Sequence, residues 1–388
     1  MAGVNSAHST PGRSVEPPMA GATYQIRNDI IWPSDLLVPS RPPALVYLDM
    51  FAFINLADAT AGRPQTGYDE LLEACRRSRE NGEALFPLSS THVLEVLDIG
   101  DIERRKTRVA VMEELSGFNY MLGRPQIQQL EIDAALNEIP GVNIAPRGPV
   151  QLIGPSLLWA FGMRGGLLTN APDPDAMADH LCRAFGIDPG GGAIDSLNRW
   201  AERQLLTGPD ENASDVLRAG YDPNKWRDML EHRAQYERDL VQELDADPRY
   251  RQGRLRDVVN AREMSNELMS MLNNTAAEIN SSIPDLLEIQ VPPSREDRAK
   301  LRDISDRMPS TRVAVSLKTG YHKDNRHTWT QNDINDIDAL AIAVPYCDAV
   351  FTDGAARNGV ESSPELQVFD TFLPHQPHEL TEWLNNLP

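Results

Sequence analysis

Residues 336–354 (DIDALAIAVPYCDAVFTDG) hold the pattern that decides the fold of this chain. Apolar residues in the first half recur at helical spacing, and Asp336 lies at the edge of the stripe that they form. The second half, residues 348–352 (DAVFT), is a short apolar run leading into Asp353 and Gly354, which is typical of a strand followed by a turn. The stretch therefore predicts a helix, then a buried strand, then a carboxylate at the end of that strand.

A similar combination of strand and acid occurs nearer the N-terminus. Residues 44–48 (ALVYL) form a continuous apolar run, which suits a central strand buried on both faces of a parallel sheet, and Asp49 follows directly. A helix is predicted over 67–80, a second strand over 84–88, and a further helix that begins near Thr91 behind a serine cap. Strands that alternate with helices in this way predict an α/β fold.

Composition divides the 388 residues into four segments. Residues 1–43 are rich in Pro, Gly and Ser, which predicts a disordered tail or a lightly docked arm. Residues 44–124 are the first part of the α/β domain, residues 125–310 form a mostly helical insertion, and residues 311–388 are the second part of the domain.

The last of these segments is predicted to complete the sheet. Besides the strand before Asp353, we expect strands over 311–317 (TRVAVSL) and 366–370 (LQVFD). A closing helix is expected over 378–387. The insertion would then separate two halves of one sheet.

Composition also narrows the class of protein. The net charge of −20 and the pI near 4.8 count against a protein that coats nucleic acid, because such binding relies on Lys and Arg displacing counterions. No run approaches the roughly 18 apolar residues of a membrane span, and the first residues lack the apolar core of a secretory signal, so we expect a cytoplasmic protein without membrane attachment. Three widely spaced cysteines predict reduced, buried thiols rather than a zinc site or disulfides.

Acidic residues lie where a binding site is expected. Ligands of an open parallel sheet bind beyond the carboxyl ends of the strands, and both Asp49 and Asp353 follow an apolar strand directly. For either residue alone, a helix cap or a turn is the alternative. Glu95 lies about one turn into the helix after the second strand, on the same face as His92, and the alternative for Glu95 is a solvated surface side chain.

The predicted helix over 332–344 is more informative. Its apolar stripe consists of Ile337, Leu340, Ala341 and Val344. Asp333 falls inside that stripe, Asp336 lies at its edge, and Asp338 points nearly the opposite way. A carboxylate on a core-facing stripe is costly unless it is paired or binds a metal. We therefore predict Asp336 as a metal ligand and Asp333 as an alternate ligand or as a side chain that supports the ligands, with capping of the first helical turn as the alternative for Asp333.

Taken together, these segments resemble the motifs of PIN domains. Residues 44–56 (ALVYLDMFAFINL) resemble the first motif, a buried strand ending in Asp. Residues 89–96 (SSTHVLEV) resemble the second, a small-residue cap before a helix bearing Glu. Residues 336–354 resemble the third and fourth, an Asp-bearing helix leading into a strand that ends in Thr-Asp. Two features depart from the common pattern: Asp353 follows Thr352 directly, and compact PIN toxins lack the long helical insertion.

The resemblance implies an RNase H-like three-layer α/β/α sandwich around a central parallel sheet. It also implies cleavage of phosphodiesters with Mg²⁺ or Mn²⁺, with Asp49, Glu95, Asp336 and Asp353 as the catalytic, metal-binding acids. Carboxylates are suitable ligands for such hard cations, and a bound cation can activate water without a nucleophilic side chain.

Candidate substrate contacts lie in a basic stretch before the acidic helix. Residues 295–327 are rich in Arg and Lys, and aromatic residues interrupt the end of the stretch. Cationic and aromatic side chains together can hold phosphates and stack on bases, although a solvated linker is the alternative. The predicted substrate contacts are His322, Lys323, Arg326 and His327, together with Thr352 beside the last acid.

The leading hypothesis is a metal-dependent endonuclease that acts on single-stranded RNA. The preference for RNA over DNA, and a role as a toxin or defence effector, come from the resemblance alone. The alternatives are a non-catalytic PIN-like scaffold that binds a protein through its helical insertion, and a structure-specific DNA nuclease. An inhibitory protein partner and a homo-oligomer are both compatible with the sequence.

Overall fold

A computed structural model describes residues 28–165, 171–210, 214–222, 224–251 and 253–388. Residues 1–27, most of the predicted tail, lie outside the described residues. The described chain is a mixed α/β structure in which helices predominate and most of the strands are short and parallel. Every helix described is too short or too polar to cross a lipid bilayer.

The strands cluster in the first half of the chain, and one lies near its end. They are β1 (Leu36–Leu37), β2 (Ala44–Leu48), β3 (Ala84–Leu85), β4 (Tyr120–Met121), β5 (Val150–Gln151), β6 (Ile153–Gly154) and β7 (Ala349–Phe351).

Helices make up most of the remaining structure. They are α1 (Met50–Thr60), α2 (Tyr68–Glu80), α3 (Ser90–Asp98), α4 (Ile102–Ser116), α5 (Arg124–Asn137), α6 (Pro174–Phe185), α7 (Ala193–Thr207), α8 (Ser214–Arg218), α9 (Lys225–Ala246), α10 (Leu255–Glu263), α11 (Met269–Glu278), α12 (Ile283–Leu286), α13 (Arg295–Arg307), α14 (Pro309–Lys323), α15 (Gln331–Tyr346), α16 (Gly354–Glu361) and α17 (Pro377–Asn385). A π-helical turn, Met264–Leu268, joins α10 to α11.

The central sheet is parallel and has β2 in its middle. Strand β2 pairs with β3 on one side and with β7 on the other. Parallel bridges at Leu88–Tyr120 and Ala349–Phe372 extend it to β4 on one side and to Phe372 on the other. In chain order the positions across the sheet read 3-2-1-4-5, so the order reverses between β2 and β7. In such sheets this reversal marks the usual ligand-binding crevice.

Helices pack on both faces of β2. All five residues of this strand are buried, as its continuous apolar run predicted. Val46 and Leu48 face a core shared with α1, α2, α4 and α17, and Leu45 and Tyr47 face a core shared with α5, α14 and α15. Because both faces of the strand are covered, the position of its last residue, and of Asp49 beyond it, is fixed by packing.

Two segments assigned to the tail and the insertion also contribute to these cores. Residues 28–43 form a docked arm, since β1 pairs with β5 and the Ile31 amide donates to the Arg307 carbonyl at 2.9 Å. Helix α5 packs Ile127 and Leu130 into the core that holds Leu45 and Tyr47. The helical layer on that face therefore includes α5 as well as α14 and α15.

Two strand predictions are wrong. Residues 311–317 lie within α14, where every residue from Pro309 to Thr319 is buried. A helix enclosed on all sides has no polar face, so its apolar run looks like that of a buried strand. Residues 366–370 form the end of a 3₁₀ helix, Pro364–Phe369, and Asp370 closes it in the left-handed region at φ 52°. Phe372, a little further along, makes the edge bridge instead.

The other elements named from the sequence are confirmed. The strands expected at residues 44–48 and 348–352 correspond to β2 and β7, and the helices expected at 67–80, 332–344 and 378–387 correspond to α2, α15 and α17. The strand expected over 84–88 is shorter, being β3 with a single bridge at Leu88. All three cysteines are buried and unpaired, as expected.

A buried ion network attaches α15 to the helical block, the helices α5 to α13 of the insertion. Asp338 lies between Arg124 of α5 and Arg233 of α9, with Arg233 Nη1 at 2.5 Å from its Oδ2. Glu263 of α10 accepts from Arg124 and from Lys318 of α14, each at 2.8 Å. Burial disfavours ionised Asp338, but Arg233 and Arg124 outweigh it and hold the pKa of this carboxyl well below its usual range. Asp338 thus faces away from Asp336, as the helical spacing predicted.

Removing Asp338 should therefore destabilise the protein strongly. We expect Asp338→Ala to lower the free energy of unfolding by about 3–5 kcal/mol, because two buried guanidinium groups lose their shared partner. Asp228→Ala, at an exposed position of α9, is the matched control and should change stability by less than about 1 kcal/mol. Urea titration followed by circular dichroism measures both, and equal effects would contradict a structural role for the network.

Candidate metal centre

Two of the predicted acids lie at the reversal of strand order. Asp49 follows β2 and Asp353 follows Thr352 at the end of β7. The two strands are hydrogen-bonded neighbours, and the Asp49 amide donates to the Phe351 carbonyl at 3.0 Å. Both side chains therefore emerge at the carboxyl edge of the sheet, as the sequence predicted.

A third acid, Asp336, reaches this edge from α15. Asp49, Asp336 and Asp353 each offer a carboxylate oxygen, and these oxygens all lie within 4.8 Å of one another. The three residues come from three different elements that are far apart in the sequence. Packing of α15 against the sheet, rather than local chain geometry, brings them together.

Asp49 is held by two hydrogen bonds. Its Oδ1 accepts from the Met50 amide at 2.7 Å, so Asp49 also caps α1, and its Oδ2 accepts from Thr352 Oγ1 at 2.8 Å. Burial raises the pKa of Asp49, against these two bonds, which lower it. Thr352 is 2% exposed and its hydroxyl orients Asp49, while its assignment to substrate binding stays a prediction.

Asp353 is a helix cap and a member of the acidic group at the same time. Its Oδ1 accepts from the amides of Ala355 and Ala356 at 2.7 and 2.9 Å, which fixes the start of α16. Capping was the alternative to a ligand role, and the structure shows the cap together with a place in the acidic group. The cap uses only Oδ1 and orients the carboxylate toward its neighbours.

Glu95 lies close to this group without belonging to its innermost set. Burial raises the pKa of Glu95 well above its usual range, and the charges of Asp49 and Asp336 add to the effect. Its helix is positioned by His92, whose Nδ1 accepts from the Ser89 amide at 2.9 Å and whose Nε2 is 2.8 Å from the Leu48 carbonyl. Burial lowers the pKa of His92 to about 4, so it is neutral and donates from Nε2.

Asp333 does not join the three carboxylates that lie close together. Its Oδ2 accepts from the Thr330 amide at 2.6 Å and from the Thr330 hydroxyl at 2.8 Å, which forms a capping box at the start of α15. Its Oδ1 lies 3.3 Å from His327 Nε2. The capping alternative is therefore confirmed, and Asp333 lies outside the set of three close carboxylates, while its assignment as an alternate metal ligand stays a prediction.

The predicted substrate contacts before α15 divide into buried and accessible residues. His322 is 1% exposed and its Nε2 lies 2.9 Å from Glu237, so its assignment to substrate binding is wrong. Lys323 and Arg326 are exposed. The ring of His327 stacks on Tyr321, with centroids 4.7 Å apart and planes at 14°.

Tyr321 connects this accessible surface to the acids. Burial raises the pKa of Tyr321, and the charges of Asp336, Asp333 and Asp353 raise it further. The stacked pair of rings, Tyr321 on His327, lies beside Asp333, which is one turn before Asp336 on α15.

A cleft of about 720 Å³ opens beside Asp353 at the candidate metal centre. The sequence analysis did not predict this cleft. Its walls include Thr352, Asp353 and Gly354 on one side and residues that precede α2 and α17 on the other. Arg357 and His375 bring positive or potentially positive side chains to it. Arg357 lies four residues after Asp353 on α16, a helix that the sequence analysis did not predict.

The composition of the site suits a hard divalent cation. The charges of neighbouring acids raise the pKa values of Asp49, Glu95 and Asp336, and among the described residues no Lys, Arg or His lies within ion-pair distance of these three or of Asp353. Burial and the charges of Asp49 and Asp353 raise the pKa of Asp336 to about 8. Oxygen ligands in close, uncompensated proximity are what Mg²⁺ and Mn²⁺ require, so the residues present fit such a cation.

Comparisons with protein-family models, with curated proteins and with solved structures find no match to this chain. The case for a function therefore rests on the geometry and chemistry of the site.

In the absence of a metal ion, the acidic group should make the stability of the folded protein fall as the pH rises. Folded Asp336, with a pKa of about 8, holds its proton where the unfolded residue, with a pKa near 3.8, has lost it. The folded state therefore binds more protons between these two values, and its stability decreases with pH across that window. We expect Asp336→Asn in EDTA to raise the melting temperature at pH 8 more than at pH 5.

The same two proteins also test metal binding. Mn²⁺ at pH 8 should raise the melting temperature of the wild type, because a ligand that binds the folded state stabilises it, and should do so much less in Asp336→Asn. A variant that melts like the wild type at both pH values, with and without Mn²⁺, would contradict the assignment of Asp336.

Proposed function

We propose that this protein is a metal-dependent endonuclease that hydrolyses phosphodiester bonds in single-stranded RNA. The observation that carries the proposal is the set of Asp49, Asp336 and Asp353, whose oxygens lie within 4.8 Å of one another at the reversal of strand order. Buried like charges are costly, and proteins retain such clusters mainly where a cation or a reaction requires them.

The acids have two kinds of role in the proposed site. Asp49, Asp336 and Asp353 would hold the cation, and Glu95 would complete its surroundings or accept a proton from water. The bound cation would supply Lewis acidity and charge neutralisation at the phosphate. Thr352 keeps Asp49 oriented, and His92 keeps α3 against the end of β2, so that Glu95 stays near the other acids.

Features around the acids support a single-stranded nucleic acid as substrate. The stacked rings of Tyr321 and His327 lie beside Asp333, one turn from Asp336 on α15, and Lys323 and Arg326 are exposed nearby in the chain. Aromatic faces can stack only on bases that are not paired in a duplex, and cations beside them can hold phosphates. The choice of RNA over DNA follows the resemblance to PIN domains.

The order of the strands and the layers of helices support the further proposal that this α/β fold is a PIN-like domain. A parallel sheet ordered 3-2-1-4-5 with helices on both faces is compatible with the three-layer sandwich that the resemblance implies. A toxin or defence role would follow from the same analogy, and an inhibitory partner would then hold the activity in check.

A protein-binding scaffold is the second candidate, and the surface of the helical insertion favours it. Large apolar side chains are exposed there, among them Met177, Phe185 and Met229. Such residues can contribute to a protein interface when they lie together. A scaffold would neither bind Mn²⁺ at the acids nor cleave nucleic acid.

Cleavage assays on fluorescent single-stranded oligonucleotides test the proposal. We expect RNA to be cut with Mn²⁺ or Mg²⁺ and not with EDTA, and Asp49→Asn to abolish cutting because this residue is central to the acidic group. Asp58→Asn, at a partly exposed position of α1, the helix that Asp49 caps, is the matched control, and this variant should cut at the wild-type rate. Preferential cutting of DNA flaps would favour the DNA nuclease, and full activity in Asp49→Asn would refute the site.

Glu95→Gln should have a smaller effect than Asp49→Asn. A residue that surrounds rather than forms the innermost ligand set typically changes metal affinity or activity by about 10–100-fold. We expect isothermal titration with Mn²⁺ to show weaker binding by about that factor, with folding unchanged by circular dichroism. Unaltered Mn²⁺ affinity and cleavage would remove Glu95 from the site.

A further inference from the structure

The cleft beside Asp353 has walls of two chemical kinds. Phe51, Tyr68 and Phe351 form an aromatic wall, in which the rings of Phe51 and Phe351 meet edge to face at 5.1 Å. Gln65 and Thr66, from the loop before α2, supply hydrogen-bonding groups. The volume of about 720 Å³ lies within the range that accommodates small-molecule ligands.

Arg357 is the residue in this cleft that most clearly lacks a partner. Its Nε is inaccessible to solvent and has no hydrogen-bond acceptor in the described part of the chain. Its Nη2 lies 3.6 Å from the position that a Cβ would take on Gly354, so the guanidinium folds back over the residue next to Asp353. A buried guanidinium nitrogen without an acceptor is costly, and because Arg357 also lines the cleft, a bound anion would offer its guanidinium charge-assisted hydrogen bonds.

Other cations in comparable positions are already paired. Arg124 and Arg233 each contact two carboxylates in the buried network, and His375, which also lines the cleft, lies 2.9 Å from Glu361. Among the described residues, by contrast, no carboxylate lies within ion-pair distance of Arg357. Arg357 is therefore the cation of the cleft that is available to an incoming anion, and a phosphate suits its planar fork.

We propose that this cleft binds the nucleotide adjoining the cleaved phosphodiester, with the phosphate of that nucleotide on Arg357. Its base would lie along the wall formed by Phe51 and Tyr68, and Gln65 and Thr66 would hydrogen-bond to its polar edges. The assignment rests on the proposed function, and it adds that the enzyme recognises a polynucleotide rather than an isolated phosphodiester. The acids and the cleft share Asp353, so the two phosphates would be neighbours on one strand.

Comparing two substrates tests this role of Arg357. Arg357→Gln should raise KM for a single-stranded RNA oligonucleotide by about tenfold, which corresponds to one lost charge-assisted hydrogen bond, and should change kcat much less. Cleavage of bis(p-nitrophenyl) phosphate, which has no adjoining nucleotide, should be unaffected, as should Mn²⁺ affinity. Arg357→Lys, which retains the charge, should fall between Arg357→Gln and the wild type. Arg183→Gln, at an exposed position of α6, is the control.

Other results would overturn the assignment. An unchanged KM for RNA would mean that the cleft holds no nucleotide, while the endonuclease proposal would stand. Equal losses on both substrates, or weaker Mn²⁺ binding, would show that Arg357 supports the acids instead.

A binding measurement covers the case in which the wild type cleaves neither substrate. That result would remove the proposed function, and titration with adenosine 5′-monophosphate in EDTA would then decide on the cleft. Binding that Arg357→Gln weakens about tenfold would support a nucleotide site, since one charge-assisted bond has that value, and no binding by the wild type would reject it.

Discussion

Repulsion among the carboxylates at the edge of the sheet is the constraint that the rest of the structure has to overcome. Asp49, Asp336 and Asp353 come within 4.8 Å of one another while burial raises the pKa values of the first two. Nothing local favours this arrangement. It persists because β2 is packed on both faces, because its neighbour β7 carries Asp353, and because α15 is held against the sheet by other contacts. Folding stability elsewhere thus maintains a site that is unfavourable without a cation.

Helix α15 connects the site to the helical block. Asp336 and Asp338 are two residues apart, so they project from opposite sides of the helix, one toward the acids and the other toward Arg124 and Arg233. The block therefore supports α15 from behind, through charged groups on α5 and α9. The insertion lies outside the α/β domain in the sequence, and yet it helps to position Asp336, the proposed metal ligand on α15.

The sequence predicted what depends on local pattern and missed what depends on packing. Runs that end in an acid located β2 and β7 and therefore Asp49 and Asp353, and helical spacing separated Asp336 from Asp338. The same rules failed for residues 311–317, because a helix buried on all sides has no polar face to reveal its period. They also failed for His322, because a polar residue in a basic stretch is expected to be exposed, whereas in the structure it is buried against Glu237 of a helix far away in the sequence. Arg357 and its cleft depend on three loops meeting, which no single motif encodes.

A chain with a net charge of −20 needs specific local means to hold a polyanion. Long-range attraction is absent, so binding cannot arise from the general counterion release that serves basic proteins. A cation bound to the acids would make the electrostatic potential positive at the cleaved phosphate. Arg357 offers a second positive position next to it. The rings of Tyr321 and His327 add stacking, which does not depend on charge. Recognition would then be confined to a few nucleotides around the cut, and the acidic remainder of the surface would oppose non-specific binding of longer nucleic acid.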